Sequence, residues 1–75
     1  MEIKLKKPVA RNSAADDYDV RQLKKALNRV GLYAPLKETG VAGIPDAPMF
    51  DALRLFQKNQ KLPVTGEARP GDETV

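Results

Sequence analysis

Residues 46–66, Asp-Ala-Pro-Met-Phe-Asp-Ala-Leu-Arg-Leu-Phe-Gln-Lys-Asn-Gln-Lys-Leu-Pro-Val-Thr-Gly, constrain the fold more than any other stretch of this chain. A helix advances about 100° per residue, so Met49, Ala52, Leu53, Phe56 and Gln60 share one side, with Asp51, Arg54 and Lys58 opposite. Such a stripe is the signature of a helix with one buried face. Asp46 is placed to cap it, and Pro48 is tolerated because first-turn amides have no helical partner. The spacing predicts a helix to about Asn59 or Gln60. Lys61 then takes the position where a left-handed residue, usually Gly, ends a helix, at a strain on the order of 1 kcal/mol. Both phenylalanines of the chain, Phe50 and Phe56, lie in this segment.

A second stripe runs through Val20, Leu23, Leu27 and Val30. Spacings of three, four and three predict a helix over about residues 20–30, with Asp19 as N-cap. Gly31 supplies the left-handed stop, and Leu32 folds back on the last turn. Arg21, Lys24, Lys25 and Arg29 fall mostly off the stripe and read as its solvated face. Between the helices, the connection over 32–44 contains Pro35, Gly40 and Gly43, with Val41 and Ile44 spaced to plug into a core. Thirteen residues is long for such a link, which predicts an ordered, structural or functional loop.

The remaining segments are shorter. Ile3 and Leu5 alternate with Lys4 and Lys6 in a short strand or an extended arm, ended by Pro8, with Val9 tucked against the body. Pro70-Gly71 forms a turn, and Asp72-Glu73-Thr74-Val75 opens a third helix, acidic residues first.

Composition narrows the functional classes. Seventy-five residues make one small domain or a piece of one, with only about 60% of the unfolded surface to bury. With no Cys and no His there is neither disulfide nor thiolate or imidazole metal site, and no cofactor is expected. Ser13 is the sole serine and has no base beside it. Asp16 and Asp17 are adjacent, and Asp46 and Asp51 lie on different faces of one helix, so neither pair flanks a substrate as glycoside hydrolysis requires. No catalytic residue is expected. The net charge of +3 is mildly basic, without the aromatic interleaving of a nucleic-acid binder. No apolar run is long enough for an export signal or a membrane span, which predicts a cytoplasmic start.

Taken together, Asp19–Tyr33 and Ala52–Gly66 resemble the peptidoglycan-binding-like domain, a helical module attached to bacterial cell-wall hydrolases and related to metalloproteinase pro-regions. The family pattern is a helix ending in Leu-Gly-Tyr-type residues, a Gly-bearing loop, a helix ending in Phe-Gln, and Gly-Leu-Pro-x-x-Gly. Here Val30, Met49 and Lys61 stand where the family commonly has Leu, Thr and Gly. The resemblance implies an all-α fold: a small orthogonal three-helix bundle with an extended N-terminal arm and a truncated or short third helix. It divides the chain into an arm, residues 1–18, and a domain, residues 19–75, cut at the start of its third helix.

The function it implies is noncatalytic binding of peptidoglycan, through glycan or stem peptide, so as to target a longer protein to the wall. Candidate ligand contacts are Tyr33, Gly43, Asp46, Phe50 and Arg54. Arg54 would pair with a stem-peptide carboxylate, and Tyr33 would stack and donate. Phe56 is assigned to the core and Gln57 to hydrogen bonds with loop backbone. The alternative is a protein–protein docking or scaffold domain using the same fold, with the basic N-terminal arm as the first place for partner contacts. Neither nucleic acid nor membrane is an expected partner.

Overall fold

The computed structural model describes residues 1–11, 14–34 and 42–75. Two α-helices form its body: α1, Asp17–Arg29, and α2, Ala47–Asn59. The fold is the all-α bundle class expected, and no strand occurs among the described residues. Ser13, Pro35, Gly40 and Val41 lie outside the described residues.

Helix α1 begins three residues earlier than the stripe suggests. Its cap is Asp16, in extended backbone, whose carboxylate accepts from the Asp19 amide at 3.1 Å. Asp19 was the expected cap, but its Oδ2 accepts instead from the Lys6 and Lys7 amides, at 2.8 and 3.0 Å. That contact draws Asp19 into the interior and leaves Asp16 to satisfy the helix start. Val20, Leu23 and Leu27 are fully buried as their spacing requires. Val30 is not, because it is the C-cap and has already turned outward. Lys24 reverses the sequence expectation outright: it is completely buried rather than solvated.

Helix α2 keeps its expected limits. Asp46 caps it, accepting from the Met49 amide at 2.9 Å. Met49, Ala52 and Leu53 are buried, Phe56 is half-buried against the core, and Gln60 is exposed as the C-cap. Phe50 joins the core as well, so the buried face is wider than the stripe. Burying side chains of the Leu and Met size contributes about 1.5–3 kcal/mol each, and Leu23, Leu27, Met49 and Leu53 supply it where the helices meet. Ile44 faces solvent instead of the core.

Both helices stop the same way. Gly31 has φ 81°, its amide donates to Asn28 O, and the Leu32 amide donates to Leu27 O. Lys61 has φ 58°, its amide donates to Lys58 O, and the Leu62 amide donates to Gln57 O. These are two copies of one left-handed closure, and only the first has the residue that adopts it without strain. Left-handed strain in Lys61 is about 1–2 kcal/mol, whereas Gly loses about 0.5–1 kcal/mol more backbone entropy on folding. Lys61→Gly is therefore expected to stabilise the chain by about 0.5–1 kcal/mol, read as a higher urea midpoint at unchanged slope. An unchanged or lower midpoint would show that this closure carries no strain.

The N-terminal segment is part of the body. Leu5, Val9 and Ala10 are buried, and Val9 forms an antiparallel bridge with Ala68 through hydrogen bonds of 2.7 and 3.0 Å. The Met1 ammonium donates to Thr74 O at 3.2 Å. Residues 70–75 make consecutive turns where a third helix is expected, with Asp72 accepting from the Thr74 amide as an N-cap does. The third element is thus short. Under it, the Gln57 amide ties α2 to the closing segment. Its Nε2 donates to Thr65 Oγ1, Glu67 O and Thr74 Oγ1, and its Oε1 accepts from the Thr65 and Gly66 amides. The expected loop-bonding role of Gln57 is met in full.

Candidate functional site

Asp46 is the meeting point of the two helices. Its Oδ1 accepts from the Met49 amide, while Oδ2 accepts from the Tyr33 hydroxyl at 2.8 Å and pairs with Lys24 Nζ at 3.1 Å. The Lys24 side chain is 0% exposed and that of Asp46 6%. Two charges leave water here at a cost that only close pairing and further hydrogen bonds offset. Tyr33 adds to that compensation, since Lys24 Nζ also stands 5.8 Å from the centre of its ring. Tyr33 itself is buried. Two of the candidate ligand contacts, Tyr33 and Asp46, are therefore brought together, in the interior, as a cation–carboxylate–phenol cluster that joins α1, its following loop and the start of α2.

Phe50, one turn along α2 from Asp46, lies at the surface end of this cluster. The Arg11 guanidinium sits 5.4 Å above its ring. Between them opens a groove of about 390 Å³, lined by Ala10, Arg11, Pro45, Asp46, Ala47 and Phe50. Arg11 is exposed and makes no ion pair among the described residues. A guanidinium held over a ring retains N–H donors that can pair with a carboxylate, and Pro45, Ala47 and Phe50 give the groove an apolar floor.

The other two candidates stand elsewhere. Gly43 packs on the first turn of α1: a Cβ there would overlap Asp17 Oδ1 and lie 2.6 Å from the Asp17 carbonyl oxygen. Its place in the sequence answers to this close approach. Arg54 pairs with Asp51 on the same helix and lies against Gly66, about two turns along α2 from Asp46.

Arg11, Ala10 and Ala47 were not singled out by sequence. Only the basic character of the arm pointed to Arg11, and nothing in the spacing sets it against Phe50, 39 positions on by residue number. Among the described residues no group of His, Cys, Asp or Glu is arranged to hold a metal ion, and no helix is long and apolar enough to cross a membrane.

Two helices closed by left-handed turns, joined through Gly43 and tied by a glutamine to the returning loop, make up a small helical module. A family model described as "Putative peptidoglycan binding domain" matches residues 16–74, and the chain belongs to that family. The match starts at the Asp16 cap and runs through the Gln57 hub to Thr74. The family is one of noncatalytic binding domains. No curated protein and no solved structure gives a significant match to the chain.

Proposed function

We propose that the chain is a noncatalytic peptidoglycan-binding module that holds a longer protein on the bacterial cell wall. The observation that carries this reading is the family match over residues 16–74. Support for the ligand end comes from the Arg11–Phe50 groove. It offers one open guanidinium and a mostly apolar floor, the chemistry of a peptide carboxylate with small aliphatic side chains, as in a wall stem peptide. In this reading Arg11 binds the carboxylate and Phe50 packs on the ligand. Asp46, Tyr33 and Lys24 fix the start of α2 beneath them, while Gly43 and Arg54 serve packing.

Retention on purified sacculi tests it. The wild-type chain should be retained above a control protein of equal charge. Arg11→Ala should weaken retention about tenfold or more, the worth of a charged hydrogen bond at about 1.5–3 kcal/mol. Wild-type protein that passes through like the control would overturn the function. An Arg11→Ala chain retained like the wild type would overturn the groove as its site.

A further inference from the structure

The outward face of α1 carries Tyr18, Arg21, Lys25 and Arg29, all exposed, along one side of the helix. The buried residues of α1 are Asp19, Val20, Leu23, Lys24, Ala26 and Leu27, so this stripe looks away from α2. The N-terminal segment runs beside it, and Gln22 Nε2 donates to Lys4 O at 3.4 Å. Two shallow grooves result, of about 480 and 310 Å³, and they share Ile3, Tyr18 and Gln22. Lys4 and Lys6 border the first, and Arg21, Lys25 and Arg29 the second. Of these five cations only Arg21 forms an ion pair among the described residues, with Asp17 at 2.9 Å. Lys24, the one lysine of α1 with a buried partner, is turned away from the stripe. The result is a predominantly basic track, with Glu2 the one exposed acidic residue lining it, on a chain whose net charge is only +3.

We infer that this track binds a linear phosphodiester polymer, as a surface separate from the Arg11–Phe50 groove. Cations four residues apart on a helix are about 6 Å apart along its axis, from a rise of 1.5 Å per residue, a spacing that a flexible phosphodiester backbone can follow. The track has a single exposed aromatic, Tyr18. Single-stranded nucleic acids are held by successive aromatic platforms for their bases, so a backbone without bases suits this surface better. Repeating polyol phosphate, the acidic polymer linked to many bacterial walls, has that chemistry. Its choice as the source rests on the wall-binding reading; the electrostatics of the track do not.

The test is binding of soluble poly(glycerol phosphate) to the wild-type chain and to the exposed-residue variant Lys4→Gln/Lys25→Gln/Arg29→Gln. At about 50 mM salt the variant should bind at least tenfold more weakly. Its log–log salt slope should be shallower by about 2, three phosphate contacts at about 0.7 each on a flexible strand. Circular dichroism should show unchanged helix content; if the variant loses helix, the salt slope of the wild type decides. Sacculi stripped of phosphate polymer should retain wild type and variant equally. If those sacculi retain neither while the soluble polymer binds as expected, the groove reading fails and the track stands. The proposal is overturned if the variant binds the polymer like the wild type, if the wild type shows no salt-dependent binding, or if an oligonucleotide or anionic vesicles bind more tightly than the polymer.

Discussion

Gln57→Leu should destabilise the chain by about 3 kcal/mol or more, a large part of what holds it together. Stability of roughly 0.05–0.15 kcal/mol per residue gives a domain of this size about 4–11 kcal/mol in total. Leucine keeps the side-chain bulk but removes both polar ends. The Gly66 amide and the Thr74 hydroxyl, both in buried hydrogen bonds with Gln57, lose those partners together with the Thr65 amide and Glu67 O. Each buried group so stranded costs about 1–3 kcal/mol. Gln57→Glu should be no better, since it turns an acceptor toward Glu67 O, which cannot donate. Urea unfolding measures both. A loss below about 1 kcal/mol for either variant would show that water replaces the amide, and that Gln57 is not the hub of the closing segment.

Asp46→Ala is expected to be at least as damaging, at about 3–5 kcal/mol, because it removes the carboxylate paired with the ammonium of a fully buried lysine. The lost N-cap contributes to that figure, at about 0.5–2 kcal/mol. Asp46→Asn separates the two contributions, since its amide oxygen still caps while the charge is gone. Combining it with Lys24→Met removes both charges, and the double variant should be more stable than Asp46→Ala, as when a buried pair is replaced by apolar groups. Should Asp46→Ala cost no more than a lost cap, the Lys24 pair would contribute nothing to the fold.

The two helices, both of their C-terminal ends and the start of α2 were legible in the sequence because the signals are local. Three-and-four spacing marks Val20, Leu23, Leu27 and Met49, Leu53, Phe56 without reference to anything distant. The residues after each cap announce the turn even where, as at Lys61, the residue is the wrong one for it. What stayed hidden depends on partners far along the chain. Asp16, Asp17 and Asp19 are all suitable caps by type, and the choice is made by the Lys6 and Lys7 amides. Lys24 lies one position from Leu23 and four from Val20, at the edge of the apolar stripe. Its charge argued for solvent, and the partners that offset its burial, Asp46 at the start of α2 and the Tyr33 ring, stand elsewhere in the chain. The groove was hidden in the same way: Tyr33 and Asp46, named as candidate ligand contacts, are hydrogen-bonded to each other in the interior. Arg11 and Phe50, which form that surface, meet only after the N-terminal segment has docked.

The docked segment also sets how the chain would respond to pulling. The Met1 ammonium and Thr74 O are 3.2 Å apart, and the antiparallel bridge at Val9 and Ala68 lies behind them. Tension applied to the two ends would load these contacts one after another, in a peeling geometry, instead of sharing the force among parallel bonds. The first event under load would be loss of Val9 and Leu5 from the core, with α1, α2 and the buried Lys24–Asp46 contact still in place. Because Arg11 belongs to the segment that peels, its position over Phe50 would go with it, and the groove between them would be lost as tension rose.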